Sequence, residues 1–238
     1  VDSKKMIEDL TIVIQGRCEE EQLKLWIDNY SDWNVVLSTW IDFNFDLDFP
    51  KKWKIIKSQY PIRFVDMQNI DLQIVSTLNG LKKVNTQYAI KVRGDEFFSN
   101  LELVYHKMKE VYPKVLVSSI FFRPLGLYLY HISDHFICST TENLKLMFEK
   151  TYDLLNNHTK FNNSPESHLG FSFIAGKENW DLYSIHKYES INDDMMRKWY
   201  SIFEVNELKP YIITENNSGN RIYYRNNYGY GFHDINEI

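Results

Sequence analysis

The chain has 238 residues, 44% of them hydrophobic and 25% charged, with a net charge of −5. That length allows one large domain with a sizeable core, and the acidic balance excludes the basic footprint of a nucleic-acid binder. No apolar run approaches the roughly 20 residues of a membrane span, and two cysteines, Cys18 and Cys138, are too few for a disulfide framework or a four-cysteine zinc site. A reducing, cytoplasmic setting is therefore expected. Sixteen Tyr and six Trp supply flat faces with polar tips, which suit cores and also suit sugar stacking.

Leu10-Thr11-Ile12-Val13-Ile14 is a β-branched apolar run and reads as a buried strand. Gln15-Gly16-Arg17 breaks it. Glu19 to Tyr30 follows as a helix with Leu23, Trp26, Ile27 and Tyr30 on one face. Val35 to Thr39 is a second strand and Ile62 to Val65 a third. Gln68 to Lys83 is a helix, and Tyr88 to Val92 the next strand. Ser99 to Val111 is helical, with Ser99 or Asn100 as its cap. Val115 to Ser119 is a further strand.

Further on, Leu127 to His131 reads as a strand with Phe136-Ile137 as its return partner. Asn143 to Asn156 is a helix striped by Leu144, Phe148, Thr151 and Leu155. A polar loop from Asn156 to Ser164 leads to a short helix over Ser167 to Gly176, and another helix is expected over Met195 to Phe203. The Asn-, Gly- and Tyr-rich tail from Glu215 to Gly231 reads as a mobile loop. The alternation of strands and helices predicts one α/β domain with a mainly parallel sheet. In such sheets ligands bind at the carboxyl ends of strands, so chemistry is expected at Gln15–Arg17, Ser38–Asp42 and Arg93–Glu96.

Lys91-Val92-Arg93-Gly94-Asp95-Glu96 ends a buried strand in two acids beside cations. Carboxylates so placed can hold Mg²⁺ or Mn²⁺, and Arg93 can pair with phosphate oxygens; a solvated turn before a helix gives the same pattern. Asn69, Gln73, Ser76 and Gly80 fall on one helical face that carries no charge, a composition suited to hydrogen-bonding a base, ribose or sugar. Ile70, Ile74, Leu78 and Leu81 make the opposite, apolar face. His131-Ile132-Ser133-Asp134-His135 reads as a loop with Asp134 aimed into a cleft; a zinc site there lacks a third ligand. Ser164-Pro165-Glu166 is a helix start, and Glu166 is a second candidate acid or base. There is no Gly-rich dinucleotide fingerprint, P-loop or nucleophile elbow.

Taken in order, these segments resemble the WavE-type family of lipopolysaccharide-synthesis glycosyltransferases, including related viral sugar transferases. The resemblance rests on Thr11 to Gly16, Val36 to Trp40, Asn69 through Gln73-Ile74-Val75-Ser76-Thr77 to Gly80-Leu81, Tyr88 to Asp95, Ile132-Ser133-Asp134 and Pro165-Glu166. It implies a GT-A-like fold, with a nucleotide-sugar-binding part over about residues 1–125 and an acceptor side over about 126–238. It implies a nucleoside diphosphate sugar donor, a carbohydrate acceptor and a divalent metal, Mn²⁺ or Mg²⁺, at Asp95. Gln15, Gly16, Arg17, Ser38, Thr39, Trp40, Gln73, Ser76, Lys91 and Arg93 would then bind the donor. For the base that takes the acceptor's proton, the residues themselves offer Asp134 first and Glu166 second. The turn here is Arg-Gly-Asp-Glu, so only Asp95 matches the family type of acid pair. A nucleotidyltransferase and a non-catalytic carbohydrate-binding module are the rival expectations.

Overall fold

A computed structural model describes residues 7–62, 69–119, 128–157, 164–203, 211–215 and 221–223. In chain order its elements are β1 (Leu10–Gln15), α1 (Glu20–Tyr30), β2 (Asn34–Trp40), β3 (Lys54–Ser58), α2 (Ile70–Leu81), β4 (Tyr88–Arg93), β5 (Glu96–Phe98) and α3 (Leu101–Val111). They continue with β6 (Val115–Ser118), β7 (Phe136–Thr140), α4 (Thr141–Asn156), α5 (Pro165–Glu178), α6 (Asn192–Trp199), β8 (Tyr200–Phe203), β9 (Tyr211–Glu215) and β10 (Arg221–Tyr223). Among the described residues no helix is long and apolar enough to cross a membrane.

The main sheet has the order β3-β2-β1-β4-β7-β6-β8. Strands β3, β2, β1 and β4 are parallel to one another. β7 runs antiparallel to both of its neighbours, β4 and β6, and β8 is parallel to β6. The sheet is thus mixed, with one opposed strand in an otherwise parallel set. A short apolar run such as Phe136-Ile137 fixes burial but not strand direction.

Side-chain alternation along each strand divides the core into two layers. Val13, Val36, Ala89, Val115, Val117 and Ile137 face α2, α4 and α5. Ile12, Ile14, Leu37, Ile90, Val92 and Leu116 face α1 and α3. The chain leaves β1 toward β2 and β3 on one side, then crosses to β4 on the other. The order therefore reverses between β1 and β4, where an open α/β sheet forms a crevice at its carboxyl edge.

Several expected elements differ. The third strand is Lys54–Ser58; Ile62 is in no strand and is 87% exposed, while residues 63–65 lie outside the described set. Residues 128–131 form no strand, because Tyr130 has φ 54° and the segment runs as a pinned loop. Its Leu127 lies outside the described residues, and the partner of β7 is instead β4 on one side and β6 on the other. The segment expected to be helical over Met195 to Phe203 is helix only as far as Trp199 and then strand β8. Asn100 stands at the cap position of α3 without a side-chain cap bond. In the tail, Glu215 closes β9 and Arg221–Tyr223 pairs with it as β10, which makes a small second sheet β10-β9-β5. The remainder of the expected tail loop, and residues 158–163 of the polar loop, lie outside the described residues.

The loop 128–135 is held against α5 by backbone contact. A Cβ on Gly170 would lie 1.9 Å from the Tyr130 carbonyl oxygen and 3.3 Å from Ile132 Cγ2. Tyr130 N–H also donates to Asn192 Oδ1 at 2.7 Å, and its hydroxyl to the Tyr188 carbonyl at 2.6 Å. Gly170→Ala must push helix and loop apart. It is expected to cost about 3 kcal/mol, a Tm loss of about 6–12 °C, measurable by thermal unfolding; an unchanged Tm would show that the contact yields freely.

Candidate functional site

The carboxyl edge between β1 and β4 opens into a cleft of about 730 Å³, within the size range of small-molecule sites. Its wall includes Gln15, Gly16, Arg17, Trp40, Gln73, Arg93, Asp95 and Asp134. These eight expected residues come from β1 and β4 with the turns that follow them, from β2, from α2 and from the 128–135 loop, and meet in one place. Gly16 has φ +92°, a left-handed conformation that favours glycine, and its N–H donates to the Ser38 carbonyl at 2.9 Å. Gln15 lines the cleft but is only 8% exposed, and among the described residues its buried Oε1 has no hydrogen-bond partner.

The turn after β4 separates its two acids. Asp95 accepts from Arg93 at both carboxylate oxygens, with Nε to Oδ1 at 3.0 Å and Nη2 to Oδ2 at 2.7 Å. Glu96 turns inward and is fully buried, against His135 Nδ1, with Arg93 Nε at 3.4 Å. Burial raises the Glu96 carboxyl, and His135 and Arg93 only partly offset it. The turn can pack this closely because Gly94 has no side chain: a Cβ there would lie 2.4 Å from Cys18 Sγ and 2.6 Å from the Arg17 carbonyl.

Asp134 closes the opposite wall. Its Oδ2 accepts from Gln73 Nε2 at 2.6 Å, and its backbone carbonyl accepts from Lys91 Nζ at 2.5 Å. Burial disfavours its charge, but Lys91, Arg93, His135 and Gln73 together hold the carboxyl well below its usual range. Glu166, in the first turn of α5, lies beside this group, with Oε2 3.8 Å from His131 Nε2. Burial and the Asp134 charge push its carboxyl up.

Five expected residues do not line the cleft. Ser38, Thr39, Ser76 and Lys91 have no exposed surface, and Glu166 stands next to the lining, beside Asp134 and His131. Ser38 Oγ donates to the Ser76 carbonyl at 2.7 Å. A Cβ on Gly80 would lie 2.7 Å from Val13 Cγ1. The uncharged stripe on α2 is therefore divided: Ser76 and Gly80 let the helix approach the sheet, and only Asn69 and Gln73 reach the cleft. Lys91 lies beneath the floor and acts through Asp134.

The cleft also contains Asp42, the end of the expected segment Ser38–Asp42, and residues that the sequence did not single out: Glu19, Phe43, Asn44, Tyr60 and Leu72. Tyr60 stacks on Trp40 at 4.7 Å and 18° and donates to Asp42 at 2.9 Å. Arg17 sits over the Phe43 ring at 5.5 Å. The signal for Tyr60 was its place just after the strand Lys54–Ser58, which the sequence did not reveal. His131 and His135 go to different carboxylates, and among the described residues no three His, Cys, Asp or Glu side chains form a metal cage.

A metal held by one carboxylate and by substrate oxygens remains compatible with this donor set. Asp95 is on the cleft wall with 20% of its side chain exposed. Four lining carboxylates, Glu19, Asp42, Asp95 and Asp134, face two guanidiniums, Arg17 and Arg93, a balance that favours a counter-cation for any anionic ligand.

No curated protein matches the chain. A family model described as WavE lipopolysaccharide synthesis matches residues 29–208, a stretch that contains α2, the β4 turn, the Asp134 loop and the start of α5. With three quarters of its length covered, the chain belongs to the WavE lipopolysaccharide-synthesis family.

Proposed function

We propose that the chain is a glycosyltransferase that moves a hexose or deoxyhexose from a nucleoside diphosphate sugar to a carbohydrate hydroxyl. The observation that carries this reading is the convergence of amide, aromatic, guanidinium and carboxylate groups in one cleft at the strand-order reversal. An open sheet with its cleft there supports a GT-A-like architecture. The donor's base and ribose suit the Gln15, Asp42 and Tyr60 side, where stacking and amide contacts are available. The diphosphate suits Arg93 and Arg17, because a guanidinium fork matches phosphate geometry.

In the transfer, the acceptor oxygen attacks the anomeric carbon and the bond from that carbon to the phosphate oxygen breaks. The electron pair leaves on the diphosphate, and the acceptor proton passes to a carboxylate. A single displacement of this kind inverts the anomeric centre. Of the two candidates, Asp134 lines the cleft but is held ionised, and Glu166, beside it, has the raised proton affinity of a base and is taken as the acceptor. Asp134 instead fixes Gln73 and the loop. A divalent metal bound with the donor would supply neutralising charge at the leaving diphosphate, and Asp95 is the residue that would hold it.

The test is a thermal-shift screen of nucleoside diphosphates and their sugars, with and without Mn²⁺. A ligand at a hundred times its Kd adds about 2.7 kcal/mol, a Tm rise of about 5–10 °C. One nucleotide series is expected to give that rise, and Asp95→Asn is expected to erase the increment due to Mn²⁺. If no nucleotide and no nucleotide sugar stabilises the protein, the transfer reading is wrong.

A further inference from the structure

Helix α5 has a second cavity at its far end. It measures about 230 Å³ and is lined by Lys150, Ala175, Gly176, Asn179, Trp180 and Leu182. It shares no lining residue with the cleft and so is distinct from it. Its aromatic wall is prebuilt. Trp180 lies flat on Tyr188, with centroids 4.1 Å apart and planes within 3°, and its backbone N–H donates to the Ala175 carbonyl at 2.9 Å. A rigid aromatic surface loses little freedom on binding.

The polar groups around it are uncommitted. Among the described residues the Lys150 ammonium, the Asn179 amide and the Trp180 indole N–H have no hydrogen-bond partner and no ion pair. Asn179 is held at φ 54° by its place as the helix cap, which projects it from the end of α5. Gly176 leaves the floor without a side chain while α5 closes on α4, since a Cβ there would already lie 3.1 Å from Leu146 Cδ1. An aromatic plate, an amide and an unpaired ammonium around a space of this size match one pyranose ring carrying an anionic group. The plate takes the ring's C–H face, the amide its hydroxyls, and the ammonium a phosphate or carboxylate.

We infer that this cavity is a second sugar site, remote from the transfer cleft and specific for an anionic monosaccharide unit of a longer glycan. It does not depend on the transfer reading, because binding is read directly. The probes are glucose 6-phosphate, glucuronic acid, methyl glucoside and inorganic phosphate, titrated against ¹⁵N-labelled protein. The reporter is the Trp180 indole N–H resonance, assigned by its loss in Trp180→Phe. The Trp180 signal is expected to move with one or both anionic sugars. Glucose 6-phosphate against glucuronic acid tells a phosphate-bearing unit from a uronic one. Lys150→Met, and Asn179→Gly, which keeps the left-handed backbone, are each expected to weaken binding about tenfold with little change in Tm. An equal response to inorganic phosphate would reduce the cavity to a bare anion site and overturn the inference. So would a response to methyl glucoside as strong as to the anionic sugars, or no response to any probe.

Discussion

Glu166→Gln is expected to lower kcat by about 10²–10⁴-fold while leaving Tm unchanged or slightly raised. The two halves of that expectation come from one feature. Burial, and then the Asp134 charge, raise the Glu166 carboxyl above its ordinary value. A raised carboxyl is a stronger base when ionised, so removing it removes the proton acceptor. The same shift means that the Glu166 charge costs stability above the unfolded pKa, and a neutral isostere relieves that cost. In the pH–rate profile, activity should fall as pH drops through the raised pKa, because the protonated acid cannot accept a proton. Glu166→Gln should lack that limb. Asp134→Asn should behave differently. It removes the charge that raises Glu166, so the limb moves to lower pH. It also removes a carboxylate whose depressed pKa contributes stability at neutral pH, a contribution lost as pH falls through the folded value. The base assignment fails if Glu166→Gln keeps wild-type kcat, or if the acid limb stays in place in Asp134→Asn.

The parts of this site that the sequence made legible are those governed by local pattern. The runs at Leu10–Ile14 and Tyr88–Val92 are apolar and β-branched, and they are the two strands that flank the crevice. Their carboxyl ends therefore marked Gln15–Arg17 and Arg93–Glu96 as places for chemistry. What was not legible needed contacts between distant segments. β3 is an edge strand with Lys54 and Lys57 facing solvent, the charged dressing that keeps an edge from pairing further, and it hides the apolar pattern of a strand. Missing it concealed Tyr60, two residues past its end. The acids at 95 and 96 are adjacent in sequence, yet one faces the cleft and the other the core, because the chain turns straight into β5. Nothing in the Arg-Gly-Asp-Glu string distinguishes them. The stripe on α2 was legible as uncharged, but its cause is mixed. Close approach to the sheet requires Ser76 and Gly80 to be small, and the cleft requires Gln73 to be polar.

Lys91→Met is expected to destabilise the fold by about 3–5 kcal/mol, a Tm loss of about 10 °C, and to lower turnover in the fraction that stays folded. Lys91 is a charged residue within the buried strand β4, and none of its surface is exposed. Alternation along β4 sends it to the same side as Ala89, beneath the 128–135 loop. Burial lowers its ammonium pKa, while Asp134, Glu96 and Asp95 oppose that shift. The cation thus answers acids that the core would otherwise hold uncompensated. Met keeps the length of the side chain and removes the charge, so the predicted loss is electrostatic and not a cavity effect. The loop then loses its tie at the Asp134 carbonyl, and Asp134 loses the strongest of the charges that keep it ionised. Its carboxyl should therefore rise in the variant, and the stability of Lys91→Met should fall less steeply in acid than that of the parent. Adding Asp134→Asn should recover part of the loss, since the double variant no longer buries an unmatched carboxylate. Thermal unfolding of the four proteins of this cycle measures the coupling. Additive losses would show that Lys91 and Asp134 stand independently, and the floor of the cleft would then owe its position to packing alone.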